Sequence, residues 1–205
     1  MISVGLTGGY ATGKSSVARI LAELGAEVVA ADELAHAAMR KGEPAWREIL
    51  AVFGPGILRP DGEIDRKALG RIVFASPVLR RRLEEIVHPR VIAALRVARE
   101  KARQAGKKVF VAEVPLLYEV GLEGDFDRVW VVTAPPERQR QLALARDDLG
   151  EAELAARLAA QMPLAEKERR ADLVLRNDGD LIELRRRVTA AWEELLQEAA
   201  AEEGG

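Results

Sequence analysis

The sequence predicts an α/β fold, an open five-stranded parallel sheet sandwiched by helices. Short apolar runs, near-continuous rather than alternating, recur between helical patterns, as strands covered on both faces require. Gly8-Gly9-Tyr10-Ala11-Thr12-Gly13-Lys14-Ser15 fits the phosphate-loop pattern G-x-x-x-x-G-K-[ST] in full, between a strand-like and a helix-like run. The length, 205 residues, suits one such domain with insertions and is too short for two large ones.

Each element has its own signal. Ile2-Ser3-Val4-Gly5-Leu6 is the first strand. After the loop, Val17, Ile20, Leu21 and Leu24 recur at i, i+3, i+4 and i+7, the stripe of an amphipathic helix. Glu27-Val28-Val29-Ala30 is the second strand. From Asp32 to Gly106 the patterns are helical, with no convincing strand. Ser76-Pro77 starts a helix there, serine as cap and proline in the first turn. That helix is expected to stop near His88, because Pro89 disfavours helix at the residue before it. Gly106 and two lysines announce the third strand, Val109 to Val114. Val129 to Val132 is the fourth, and Leu173-Val174-Leu175 the fifth. Between the last two lies a charged, helical stretch, Pro136 to Arg170. Asp180 and Glu183 resemble a capping box for a last helix, with Leu181, Leu184, Val188, Trp192 and Leu195 on one face. The tail, Glu198 to Gly205, is expected to fray at its end. The organisation expected is a P-loop core of nucleoside-triphosphate hydrolase type over 1–31, 107–135 and 171–205. A helical substrate-binding insertion spans 32–106 and a helical lid 136–170.

Composition narrows the function. Hydrophobic residues make up 48% and charged residues 31%, and the net charge is −2, so a basic footprint for nucleic acid is absent. The basic runs Arg80-Arg81-Arg82 and Arg185-Arg186-Arg187 have acids nearby and read as solvated helix faces. With no cysteine, disulfides, thiolate metal sites and cysteine nucleophiles are excluded. No signal peptide or membrane-spanning run is visible, so a cytoplasmic location is the expectation, with no membrane partner.

The loop dictates the chemistry. Gly8 and Gly13 allow a tight turn that brings the backbone to the phosphates without an intervening Cβ. Loop amides then converge on one concavity, and the helix starting near Lys14 adds its positive end. Lys14 reaches the β- and γ-phosphates of a nucleotide, and the Ser15 hydroxyl suits Mg²⁺, which takes oxygen ligands. The nucleotide-binding set is therefore Gly8, Gly9, Tyr10, Ala11, Thr12, Gly13, Lys14, Ser15 and Ser16, with Ser15 as metal ligand. Ligands of such sheets bind at the carboxyl ends of the strands, where insertions become substrate-binding and lid elements. A lid excludes water so that phosphoryl reaches the acceptor. The pattern is that of a nucleotide or small-molecule kinase. Asp32, just past the second strand, is either an acceptor-orienting acid or a helix cap. Glu113 is either a metal-side carboxylate or a solvent-facing strand end. His88 either binds substrate or caps a helix end, and His36 lies on an exposed helix face.

At this point the chain resembles the dephospho-CoA kinase family over nearly its whole length. The resemblance rests on ordered strings: Val4-Gly5-Leu6-Thr7-Gly8-Gly9 through Ser15, Ala31-Asp32, Phe53-Gly54 and Asp61-Gly62-Glu63-Ile64-Asp65-Arg66. It continues through Leu83-Glu84 to His88-Pro89, Val114-Pro115-Leu116-Leu117-Tyr118-Glu119, Arg146-Asp147, Arg157, Gln161-Met162-Pro163 and Asn177-Asp178-Gly179. The resemblance implies that ATP phosphorylates the ribose 3′-hydroxyl of dephospho-CoA, giving CoA and ADP, the last step of CoA synthesis. It implies Asp32, Lys14 and Arg146 as catalytic residues, with Arg146 in the lid. Asn177 and Gly179 would edge the adenine pocket. Asp32, His88, Leu117, Glu119, Arg157 and Gln161 would meet the substrate. Two departures stand out. The first acid of the family's Asp-Ala-Asp is Ala30 here, and an arginine common near position 142 is Leu142, leaving Arg138, Arg140 or Arg146 for that role.

Two other functions share part of this pattern. Another small-molecule kinase shares every argument from the loop, and only the substrate-domain strings oppose it. A GTP-driven switch needs a guanine-reading Asn-Lys-x-Asp, which is missing. Asp147-Asp148-Leu149-Gly150 fits the switch pattern Asp-x-x-Gly but follows the fourth strand rather than the third.

Overall fold

The computed structural model describes residues 1–146, 158 and 161–203. The chain divides into two compact units, one formed by Met1–Ala30 with Arg99–Gly205, the other by Ala31–Ala98.

The first unit is built on five parallel strands, β1 (Ile2–Gly8), β2 (Glu27–Ala30), β3 (Val109–Glu113), β4 (Arg128–Thr133) and β5 (Leu173–Arg176), in the order β2-β3-β1-β4-β5. All five sequence-predicted strands are present. β1 is central, and each of its residues is buried, which explains why it reads as one apolar run rather than an alternating one. Register pairs Leu6 and Ala30 with Glu113, and Gly8 with Val132, so the carboxyl ends of the inner strands lie together. Helix α1 (Lys14–Glu23) buries Val17, Ile20 and Leu21 against the sheet. The C-terminal helix, α8 (Leu181–Glu203), packs onto the same cluster through Leu184, Val188, Trp192 and Leu195. Leu181, expected on that face, is 51% exposed. It sits in the first turn, where Asp180 accepts the Glu183 N–H at 2.8 Å. Only that half of the capping box forms, because the Glu183 carboxylate turns to Arg186 and Arg187 instead.

At the amino ends of the inner strands, Asp127 accepts hydrogen bonds from the Ser3 N–H (2.7 Å) and hydroxyl (2.6 Å), tying the starts of β1 and β4 together. Between β4 and β5 lie α6 (Pro136–Arg146) and α7 (Leu164–Arg170).

The second unit holds α2 (Ala31–Ala38), α3 (Pro44–Phe53), α4 (Arg66–Ala75) and most of α5 (Pro77–Gln104). Its described residues contain no strand beyond one isolated antiparallel bridge, Leu58 to Ile64. Ser76 caps α5 through the Leu79 N–H, as expected from Ser76-Pro77. The helix does not stop at His88. It runs unbroken through Pro89 to Gln104. Proline removes one backbone donor, the one that would serve the Glu85 carbonyl, but 28 residues of helix supply enough remaining bonds to carry the chain past it. His88 is therefore a mid-helix residue and caps nothing. The two basic runs behave as solvated faces: Arg80 pairs with Glu84, Arg82 with Glu85, Arg185 with Glu23 and Arg186 with Glu183. Among the described residues no helix is long and apolar enough to cross a membrane.

Candidate active site

The site is built from the β1–α1 turn. Gly8 lies so close to the Val132 carbonyl that a Cβ there would collide with it, and Gly13 stands at φ 94° with its missing Cβ position filled by the Asn177 amide. Both glycines are thus required by space, and Gly13 also by its left-handed backbone. Within the turn, the Thr12 hydroxyl donates to the Gly9 carbonyl at 3.0 Å. The Lys14 ammonium crosses the loop and donates to the same carbonyl at 2.6 Å, with the residue only 8% exposed. Ser16 and Val17 direct their N–H groups to the Gly13 carbonyl, so α1 begins at the loop itself and presents its N-terminal end there.

The outer wall is supplied by residues far away in sequence. Asn177, which follows β5, is 5% exposed. It donates from Nδ2 to the Thr12 carbonyl at 2.9 Å and from its backbone N–H to the Thr133 carbonyl at 2.8 Å. Its side chain therefore props the phosphate loop from behind, a different task from edging an adenine pocket. Gln139, on α6, donates to the Tyr10 carbonyl, and Leu142 and Ala143 of the same helix pack on Tyr10 and Ala11. Leu142 is thus a packing residue against the loop. Gln139 escaped the sequence reading; its one signal was a position four before the buried Ala143, on the inward stripe of α6.

Glu113 has a definite partner. The Ser15 hydroxyl donates to its Oε1 at 2.9 Å, and Glu113 ends β3 beside Leu6 and Ala30. Serine hydroxyl and carboxylate give two adjacent oxygen donors at the loop, a donor set that suits Mg²⁺ completed by phosphate and water oxygens. Among the described residues no group of three or more acidic or histidine side chains forms a dedicated metal cage.

Several expected substrate contacts are placed elsewhere. Leu117 is 0% exposed and its side chain lies over Gly5 with Phe126, so it is core and not available to a ligand. Glu119 pairs with Lys167 at 2.8 Å and accepts the Met162 N–H at 2.9 Å. Lys167, wholly buried, also donates to the Pro115 carbonyl. Glu119 thereby anchors the Gln161-Met162-Pro163 segment and α7 to the turn after β3. Gln161 has a buried Oε1 with no partner. Gly179 packs under Glu183, at the start of α8. Arg140 is exposed, whereas the Arg138 Nε is buried without a hydrogen-bond partner. Arg146 closes α6, but its side chain, like Arg157 and the Asp147–Gly150 string, lies outside the described residues.

In the second unit, Asp32 sits in the first turn of α2, two residues beyond the end of β2, and is exposed. It lies inside the helix rather than at a cap position. His36, one turn on and exposed, accepts from Arg66 at 2.6 Å, which requires its neutral form. Burial first, and then the Arg66 charge, hold its pKa below the ordinary value.

Known proteins resemble this chain over most of its length. A family model described as dephospho-CoA kinase matches residues 2–183. A dephospho-CoA kinase of Symbiobacterium thermophilum is 48% identical over 202 residues, covering 98% of this chain and 83% of the relative. Among solved structures, a Thermus thermophilus protein superposes with a TM-score of 0.80 at 38% identity, covering 95% of this chain and 97% of the other. A dephospho-CoA kinase from Campylobacter jejuni gives 0.71 at 28% identity, covering 94% and 96%.

Proposed function

The chain belongs to the dephospho-CoA kinase family, which uses ATP to phosphorylate dephospho-CoA in the final step of CoA synthesis, and from that premise we propose how its residues divide the work. The acceptor is the ribose 3′-hydroxyl, an alcohol, and the products are CoA and ADP. Phosphoryl transfer asks mainly for positioning and charge stabilisation. Lys14 and the amides of Gly8 to Ser16 hold the donor phosphates. Ser15, with Glu113 beside it, would hold Mg²⁺, and the ion when bound would supply neutralising charge to the phosphates. Asp32 orients the acceptor hydroxyl and receives its proton. Arg146, with Arg157, meets phosphate from the lid, residues 136–170. The insertion 32–106 takes the acceptor. Asn177 and Gln139 act as positioning residues, through the loop carbonyls they bind. The enzyme works in the cytoplasm.

The observation that carries this reading is the Ser15 hydroxyl bound to Glu113 on one side of a glycine loop that Lys14 closes on the other. An acceptor panel tests it. With ATP and magnesium, dephospho-CoA is expected to be phosphorylated far faster than adenosine, nucleoside monophosphates or shikimate. Preference for any other acceptor overturns the substrate. Asp32→Asn is expected to keep ATP affinity and lose rate, and turnover at the parent rate would remove Asp32 from the mechanism.

A further inference from the structure

The string Asp61-Gly62-Glu63-Ile64-Asp65-Arg66 carries none of the groups assigned to phosphoryl transfer. In the second unit it folds into one wall of a cavity of about 350 Å³ whose lining includes His36, Arg40, Arg59, Glu63 and Arg66. The wall is firmly built. The Arg59 N–H and Glu63 carbonyl close a tight turn at 2.8 Å, with Gly62 at φ 83°. Lys41 donates to the Asp61 carbonyl, and the Trp46 indole to the Gly62 carbonyl. Asp65 then caps α4 through the Lys67 and Ala68 N–H groups, which sets Arg66 as the first residue of that helix.

The cavity is over-supplied with positive charge. It gathers three guanidinium groups against the single carboxylate of Glu63. Arg59 is paired with Asp61 at 3.0 Å, both exposed. Arg66 spends its Nη1 on neutral His36, and neither it nor Arg40 has an ion-pair partner among the described residues. Like charges held together by a rigid turn and a helix start repel one another unless an anion joins them. Arginine forks match phosphate oxygens in pairs. The lining also follows Asp32 along the chain: His36 stands one helical turn from it on α2, about 6 Å further along, and Met39 and Arg40 are the two residues after that helix ends at Ala38.

We propose that this hollow binds the diphosphate linkage of the acceptor, with Arg40 and Arg66 as its principal ligands and Arg59 at its rim. The inference rests on the reading of Asp32 as the group that meets the acceptor hydroxyl. Asp32 at the start of α2 then meets the sugar alcohol, and Arg40, just past the helix end, meets the charged linkage. Affinity for the acceptor thus comes from groups that never touch the transferred phosphoryl.

Steady-state kinetics of Arg40→Glu and Arg66→Ala test this. Each is expected to raise KM for dephospho-CoA tenfold or more, with KM for ATP and kcat within twofold of the parent and an unchanged thermal midpoint. Arg66→Lys, which keeps the charge, is expected to recover part of the loss. At saturating ATP, inorganic pyrophosphate is expected to inhibit competitively against dephospho-CoA, and Arg40→Glu to weaken that inhibition. An unchanged KM for dephospho-CoA in Arg40→Glu overturns the proposal. So does pyrophosphate inhibition that depends on Arg40 yet is non-competitive with the acceptor, which would make the hollow a site for free diphosphate. A parent enzyme that leaves dephospho-CoA untouched sinks the assigned reaction instead, a separate result.

Discussion

Lys14 is held by its own loop, and that determines what its loss does. Its ammonium is nearly buried and bonded to Gly9, so it is aimed across the concavity rather than waving in solvent. Removal of one preorganised charge-stabilising donor costs about 10²–10³ in kcat, and Lys14→Ala is expected to lose at least that much. A loss of tenfold or less in single-turnover assays would contradict the role. Asn177 acts at one remove. Asn177→Ala frees the Thr12 carbonyl and opens space behind Gly13. A loosened loop should raise KM for ATP by more than tenfold, while KM for dephospho-CoA stays within twofold. An equal change in both would show a general structural defect. At position 30 alanine stands in register with Glu113. The carboxylate beside Ser15 is therefore the neighbouring strand's, and Glu113→Gln is expected to raise the magnesium concentration needed for half-maximal rate.

Two elements behave against simple expectation, each for a nameable reason. Helix α5 carries Pro89 in its interior, a residue that costs about 3 kcal/mol relative to alanine in a helix. Pro89→Ala restores the missing N–H, and a gain of about 1 kcal/mol in urea unfolding is expected, within the roughly 3 kcal/mol that separates the two residues in a helix interior. Destabilisation on that change would mean that the proline shapes the helix for its neighbours. Helix α7 is fastened by Lys167, wholly buried between Glu119 and the Pro115 carbonyl. Breaking a buried pair from one side leaves an uncompensated charge, so Glu119→Ala is expected to cost about 3 kcal/mol. A cost below about 1 kcal/mol would show that water reaches Lys167 freely.

For the whole molecule, acid is the revealing stress. The Ser3 hydrogen bonds hold the Asp127 carboxyl below its ordinary pKa of 3.8, against a burial penalty that is the largest single influence and acts the other way. Arginine partners hold Glu100 and Glu183 down to about 2. Groups depressed in the folded state add stability that is full above their unfolded pKa and is lost as pH falls through the folded one. Urea midpoints are thus expected to be flat from neutrality to about pH 5 and to fall between about pH 4 and 2. Asp127→Asn should flatten part of that fall, and an identical profile would remove it from the account. Much of this molecule was legible in the chain. Periodicity sufficed for the five strands, for α1 and for the buried stripe of α8, because burial on both faces leaves continuous apolar runs. The phosphate loop was legible because steric demands on glycine and the reach of lysine are local properties. Ser15's partner was not, nor were the props Asn177 and Gln139, the core burial of Leu117, or the Lys167 anchor. Each depends on which distant segments the sheet order brings side by side, and a linear pattern holds no information on a contact between residues 12 and 177 until the strands between them have paired.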